Sequence, residues 1–274
     1  MPNIKGMDTL QNENKLESGK RSDAATCWAS SCGRVTLYLG DCREVLPELN
    51  GVDVVISDPP YGTTAAKWDS VDGLVDVLKN YPSVAFSVEP TASSLRTSLP
   101  WRYDWKWIKS KPSGAMFSEH QPMRMVELVM VFGKVKYNPQ KRRRSDSELK
   151  QLSKRSVNTV GSEITGGAFG RSGNREDNAE SFPVDALFYD NVFNRALDKT
   201  AHPSQKPVEL MGYLVQTHSD EGSTILDPYM GSGTTGIACI RTGRKFIGIE
   251  KDPEHYATAL NRIQKELAQG DLFL

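Results

Sequence analysis

The chain has 274 residues, enough for one large domain with an insert, and its 34 Lys and Arg balance its 34 Asp and Glu, so overall charge does not point to nucleic acid. Four cysteines (Cys27, Cys32, Cys42, Cys239) form no C-x-x-C pair and the four histidines do not cluster with them, so free thiols in a reducing compartment are expected and a zinc site is not. No apolar run approaches the roughly 18 residues of a membrane span and no signal-peptide segment is evident, which predicts a cytosolic protein.

Residues 1–33 are polar, of mixed charge and poor in large apolar groups, and predict a mobile tail. Ordered structure is expected from Arg34, where Val35 to Leu39 alternates as a strand and runs into Gly40-Asp41-Cys42. Asp41 is placed to cap a helix from Arg43 to Leu49. The apolar run Val52 to Ser57 then predicts a buried parallel strand ending at Asp58-Pro59-Pro60-Tyr61, at the carboxyl edge of the sheet where ligands bind.

Two consecutive prolines fix φ near −65° and push Asp58 away from helical ψ, so this segment forms a stiff bracket. It presents a carboxylate, carbonyls and an aromatic face at one point. Such a set suits an exocyclic amine: Asp58 and a carbonyl of Pro59 or Pro60 accept its two N–H groups and free the nitrogen lone pair. Tyr61 can stack on a flipped base, an interaction worth about 1–3 kcal/mol. Asp-Pro-Pro also serves as an ordinary strand-ending turn, so the motif alone leaves both readings open.

Residues 62–72 predict a mobile loop carrying Lys67 and Trp68. Beyond it the pattern predicts a helix over 74–78, a strand over 83–88, a helix over 91–99 capped by Thr91, and strands over 103–109 and 127–132. Trp105 and Trp107 share one strand face and are expected in the core, and the loop 109–114 is expected beside the Asp58 pocket. Residues 136–160 hold eight Lys or Arg against two acids, and 182–193 has enough aromatics for a small packed piece within this region. A solvated loop and a phosphate-contacting surface are both open readings of the basic run.

A second glycine-rich stretch follows the predicted strand 223–227: Asp227-Pro228-Tyr229-Met230-Gly231-Ser232-Gly233-Thr234-Thr235, then a helix to Thr242 and a strand 245–249 ending at Glu250. Strand, Gly-x-Gly, helix, strand and terminal acid in this order describe a nucleotide-type site, with Gly231 and Gly233 letting backbone approach a ligand and Glu250 placed for ribose hydroxyls. The third glycine of the dinucleotide fingerprint and the P-loop Lys are missing, which favours a ligand without a pyrophosphate. A helix led by Pro207 precedes this unit, with Ser204 and Lys206 ahead of it, and Asp252-Pro253 caps a terminal helix turning Tyr256, Leu260, Ile263 and Leu267 inward.

These motifs resemble those of the β-group S-adenosylmethionine-dependent DNA amino-methyltransferases of the adenine-N6 and cytosine-N4 type. Asp58-Pro59-Pro60-Tyr61 looks like their catalytic motif, Asp227 to Gly233 with Glu250 like their cofactor loop and ribose acid, and His202-Pro203-Ser204-Gln205-Lys206-Pro207 like the segment before that loop. The resemblance spans 34–135 and 201–262. It implies an α/β, circularly permuted Rossmann-like methyltransferase fold, with a doubly wound, mostly parallel sheet and an inserted target-recognition region. The expected division is a tail at 1–33, a catalytic half at 34–135, the insert at 136–200 and a cofactor-binding half at 201–274.

By the same resemblance, Asp58, Pro59, Pro60 and Tyr61 are the candidate catalytic residues, and Asp41, Asp58, Ser204, Lys206, Asp227, Gly231, Gly233, Thr234 and Glu250 the candidates for S-adenosyl-L-methionine. Lys67, Lys141, Arg142, Arg143, Arg144, Lys154 and Arg155 are the candidates for double-stranded DNA. The implied activity is site-specific methylation of adenine N6 by a cytoplasmic, bacterial or phage-encoded enzyme, for which a homodimer is one assembly the family uses. Cytosine N4, an RNA or protein amide substrate, and a catalytically silent DNA-binding protein are the alternatives.

Overall fold

The computed structural model describes residues 26–64, 69–115, 118–149, 179–192 and 205–270. The elements are β1 (Thr26–Ala29), β2 (Val35–Leu39), α1 (Cys42–Val45) continued by a 3-10 turn (Leu46–Glu48), β3 (Val54–Ser57), α2 (Leu74–Leu78), β4 (Ser83–Ser87), α3 (Thr91–Ser98), β5 (Trp101–Ser113) and β6 (Arg124–Phe132). They continue with β7 (Arg142–Arg143), β8 (Glu180–Ser181), β9 (Ala186–Tyr189), α4 (Val208–His218), β10 (Thr224–Asp227), α5 (Thr234–Arg241), β11 (Lys245–Glu250) and α6 (Pro253–Gly270).

Nine strands form one sheet in the order β1-β2-β11-β10-β3-β4-β6-β5-β9. From β2 to β4 all neighbours are parallel, whereas β1, β6 and the β5–β6 pair introduce antiparallel contacts. The chain lays down β2, then β3, leaving two places that β10 and β11 fill at the far end of the sequence. That late filling is the circular permutation, and it brings the ends of β3 and β10 side by side at the carboxyl edge.

Alternation along the strands supplies two apolar faces. Val54, Ile56, Val84, Phe86 and Ile225 pack with Leu214 of α4, Ile237 of α5 and Ile263 of α6. Val55, Ala85, Leu226 and Ile249 face the other way, onto Val45, Leu78 and Leu95 of α1 to α3. Trp105 and Trp107 lie in the first core, as their shared strand face predicts.

Three expectations change. Residues 26–29, inside the predicted tail, form β1, which pairs antiparallel with β2, and Trp28 packs at the rim of the core; residues 1–25 lie outside the described residues. Thr91 opens α3 but does not cap it: Glu89 Oε2 accepts from Ser93 N at 3.0 Å, and the Thr91 hydroxyl donates to the Tyr61 carbonyl at 2.6 Å. Residues 186–189, expected within a separate packed piece of the insert, extend the main sheet as β9, parallel to β5, with Leu187 buried in the core.

His218 closes α4 against the sheet. Trp105 Nε1–H donates to its Nε2 at 3.1 Å, so the proton sits on Nδ1, which donates to the Lys136 carbonyl at 3.1 Å. Burial holds the imidazole pKa down to about 4, the carbonyl hydrogen bond working weakly against it. Between about 4 and the ordinary value near 6.5 the unfolded chain therefore binds the extra proton, and this residue's contribution to stability falls as pH falls through that window. Asp227, raised to about 6 by burial, acts in the opposite direction over much of the same range, so His218 must be isolated by difference. His218→Gln is expected to narrow its stability gap to wild type by roughly 2–3 kcal/mol between pH 7 and pH 4.5 in urea unfolding. An equal gap at both pH values would contradict this account.

Candidate active site

The fully buried β3 delivers Asp58 to the sheet edge, and Pro59 and Pro60 prevent the chain from coiling onward. The Tyr61 hydroxyl donates to Asp58 Oδ1 in a short hydrogen bond, and Lys206 Nζ donates to Asp58 Oδ2 at 2.6 Å. The turn that follows is organised by Asp69, which is 5% exposed. Its Oδ1 accepts from Tyr61 N and Gly62 N at 2.6 and 2.8 Å, and its Oδ2 from Thr63 N, Thr64 N and the Thr64 hydroxyl at 2.8, 2.7 and 2.9 Å. Desolvation pushes the Asp69 pKa up, but the Thr64 hydroxyl and these backbone N–H groups outweigh it and the net shift is downward. Asp69 fixes the shape of the turn that carries Tyr61.

The glycine-rich turn is built on the neighbouring strand end. Asp227, 2% exposed, accepts from the Ser57 hydroxyl and the Thr235 hydroxyl at 2.6 Å each, and from Tyr229 N at 3.1 Å. Its carboxylate is thus a tie between β3, the turn and α5. Gly233 adopts φ +78° as the N-cap of α5, and a Cβ there would stand 3.0 Å from the Ala259 Cβ on α6. Only glycine meets both conditions without displacing α6. Glu250 Oε2 accepts from Gly231 N at 3.0 Å and Oε1 from Asp252 N at 2.9 Å, which holds the turn against the end of β11. Asp41 caps α1 through Arg43 N and pairs with the Arg43 guanidinium.

Two cavities meet at Asp58. One, of about 220 Å³, is lined by Asp41, Asp58, Asp227, Gly231, Thr234 and Glu250 among others. The second, of about 230 Å³, is lined by Asp58, Tyr61, Thr63, Gly114, Arg124 and Glu127 among others. Asp58 is the one residue common to both linings. The first cavity gathers Asp227, Gly231, Thr234 and Glu250 of the glycine-rich unit, while Gly233 is not in its lining, and the second opens beside residues 109–114, of which 109–113 form the end of β5 instead of a loop.

The sequence reading missed the charges that surround Asp58. Lys109 and Glu127 stand on the paired strands β5 and β6, and both are buried or nearly so. Lys109 Nζ lies 2.9 Å from Glu127 Oε1, and Lys206 Nζ lies 3.4 Å from Glu127 Oε2 and 3.2 Å from the Tyr61 hydroxyl. Glu127, the lone charge in the apolar run Met125 to Phe132, was the available signal, whereas Lys109 shares β5 with Arg102, Asp104, Lys106 and Lys111 and nothing in the pattern singles it out. Lys206, expected to meet an incoming carboxylate, lines the first cavity, yet its ammonium is directed at Asp58, Tyr61 and Glu127. Burial raises the Asp58 pKa against the pull of Lys206, with Glu127 adding to the rise. For Glu127 the desolvation penalty is outweighed by Lys206 and Lys109, and its pKa is lowered.

Ser204, Lys67, Lys154 and Arg155 lie outside the described residues. Of the other basic candidates, Arg142 and Arg143 form β7, paired with β8; Lys141 reaches Glu180 at 3.3 Å, Arg142 pairs with Glu148 at 2.5 Å, and Arg144 donates to the Glu180 carbonyl. These contacts are on the exposed surface. Among the described residues there is no cluster of His, Cys, Asp and Glu fit for a metal ion, and no helix is long and apolar enough to cross a membrane.

The profile of the N6_N4_Mtase family, described as DNA methylase, matches residues 94–261. The Type II methyltransferase M2.DpnII of Streptococcus pneumoniae is 45% identical over 65 residues, 24% of this chain and 24% of that protein. The Type II methyltransferase M2.LlaDCHI of Lactococcus lactis subsp. cremoris is 42% identical over 69 residues, 25% of this chain and 26% of that protein. The match therefore spans about a quarter of each curated relative's length. Among solved structures, the M1.HpyAVI-SAM complex aligns with a TM-score of 0.53 at 24% identity, over 83% of this chain and 99% of that one. PvuII DNA methyltransferase (cytosine-N4-specific) aligns with a TM-score of 0.53 at 15% identity, over 84% and 86%. Likeness at these identities establishes the fold: these are methyltransferases of the same α/β architecture.

Removing the carboxylate at position 69 leaves four backbone N–H groups without their acceptor. Asp69→Ala is expected to speed hydrogen exchange at Tyr61, Gly62, Thr63 and Thr64 by at least about tenfold, since each charged hydrogen bond is worth about 1.5–3 kcal/mol, while the β10 amides keep their protection. Unchanged protection at those four amides would contradict the role given to Asp69.

Proposed function

Because the chain belongs to the N6_N4_Mtase family of DNA methylases, we propose that it transfers a methyl group from S-adenosylmethionine to the exocyclic amino group of a base flipped out of duplex DNA, with adenine N6 as the target. The observation that carries this reading is the position of Asp58 between two cavities, one on the glycine-rich side and one on the Tyr61 side. A donor and an acceptor of a small group, one in each cavity, can thereby both reach one carboxylate.

The first cavity suits S-adenosylmethionine by its donor set. Asp41 and Glu250 stand at the ends of β2 and β11; Arg43 N and Nε fill Asp41 Oδ1, whereas Asp41 Oδ2 and both Glu250 oxygens each keep a second lone pair for hydroxyl or amine donors. Asp41, Asp58, Asp72, Asp227 and Glu250 outnumber Arg43, Lys206 and Lys251 in the lining, as a cationic ligand requires. The turn at Gly231 and Gly233 gives backbone access at the start of α5. When bound, S-adenosylmethionine supplies a methyl group already activated by its sulfonium.

The protein's own contribution is binding and orientation. Asp58 accepts one amino N–H, and a carbonyl of the Pro59–Pro60 pair accepts the other, so the nitrogen lone pair is freed and aimed. Tyr61 contributes an aromatic surface for the base while its hydroxyl keeps Asp58 in place. Holding both reactants in line supplies much of the rate, and Asp58 takes the proton that the methylated nitrogen releases. A carboxylate at position 58, where most cytosine-N4 members carry Ser, supports adenine as the base. The basic segment at Lys141 to Arg144 supports phosphate contact: its present ion pairs are exposed and screened by solvent, so they exchange for phosphate at little cost.

Asp58→Ala is expected to lower methyl transfer to duplex DNA by about 10²–10⁴-fold or more while S-adenosylmethionine binding, followed by calorimetry, stays within a few fold of wild type. Wild-type transfer rates in this variant would overturn the assignment.

A further inference from the structure

The charges around Asp58 exceed what accepting one amino hydrogen bond requires. Lys206 Nζ has three N–H groups, and the structure gives them three acceptors: Asp58 Oδ2 at 2.6 Å, the Tyr61 hydroxyl at 3.2 Å and Glu127 Oε2 at 3.4 Å. The ammonium also lies 5.0 Å from the Phe86 ring centroid, 5.6 Å from that of Tyr61 and 5.8 Å from that of Trp107. Its side chain is 7% exposed and that of Glu127 is 13% exposed. Lys109 anchors the far side of Glu127 at 2.9 Å and is itself held by the Ser113 hydroxyl at 2.6 Å. The cluster sums to zero charge: two ammonium groups and two carboxylates.

We propose that Lys206 and Glu127 are positioning residues acting on Asp58 with opposite sign. Lys206 keeps the Asp58 carboxylate ionised and turned toward the amino group, and Glu127 draws part of the Lys206 charge away, so that Asp58 stays basic enough to take the released proton. This rests on the reading of Asp58 as the amino-group acceptor. An ammonium paired with Asp58 alone would hold the carboxylate too weakly basic, and a Glu127 without the ammonium would leave two buried carboxylates facing each other. The titratable groups facing Asp58 are the neutral Tyr61 phenol from its own segment, Lys206 ahead of α4, Glu127 on β6 with Lys109 on β5 behind it, and Asp227 at the end of β10.

The test is the acid limb of the kcat–pH profile for methyl transfer from S-adenosylmethionine to duplex DNA. Glu127→Gln is expected to move that limb down by about one pH unit, Lys206→Met to move it up by about one unit or more, and the double variant to return it near wild type. Cofactor affinity in Glu127→Gln is expected to match wild type, which separates a positioning role from a collapsed site. Limbs that coincide with wild type, or that shift in the same direction in both single variants, would overturn the proposal. If Lys206→Met is too unstable to assay, the downward shift in Glu127→Gln decides alone. Absence of DNA methyl transfer in the wild type would count against the functional reading, whereas an active wild type with unshifted variants would count against this inference only.

Discussion

The site depends on the parallel pairing of β3 with β10, two strands that lie some 170 positions apart in the chain. Ile225 and Leu226 lie in register with Val54 and Val55, and the hydroxyl of Ser57, two residues past Val55, donates at 2.6 Å to Asp227, one residue past Leu226. Backbone pairing sets the two strand ends at one height, and this buried side-chain bond holds the loops that leave them. Asp58 and the turn through Gly231 then face a common space, although neither segment encodes the other. Burial raises the Asp227 carboxyl to about 6 despite its three hydrogen bonds, so β10 carries a polar group whose cost is accepted for the sake of the junction.

Around that junction the protein concentrates charge where it is most expensive to bury. A single carboxylate moved into the interior costs several kcal/mol even after relaxation. Asp58 and Glu127 avoid standing alone because Lys206 and Lys109 accompany them, each within hydrogen-bond reach of a carboxylate oxygen. Those four groups come from β5, β6, the β3 edge and the approach to α4, so the arrangement exists only in the assembled sheet. Stability and chemistry are coupled here: the elements that build the core also set the protonation of the acceptor.

Much of this was legible in the sequence where one local rule decides. The run from Val52 to Ser57 followed by two prolines marks a strand end, and the order of Thr224–Asp227, Gly231, Gly233 and Glu250 marks a strand, turn, helix and acid. The cap at Asp252 and the inward face of α6 followed from ordinary helix grammar. What escaped depended on contacts between distant residues. Asp69 looks like any loop acid until its backbone partners are seen, Thr91 looks like a cap until its hydroxyl is found on Tyr61, and Lys206 looks free until Asp58 and Glu127 are brought beside it. β1 and β9 were missed for another reason: each has only four residues and one well-packed side chain, so pairing to a neighbour decides it where pattern cannot.

The most direct measurement is transfer of a labelled methyl group from S-adenosylmethionine to unmethylated genomic duplex DNA, followed by nucleoside analysis. The account predicts label in N6-methyladenine. Label in N4-methylcytosine alone would contradict the choice of base, and label absent from DNA but present in RNA or protein would contradict the proposed function itself.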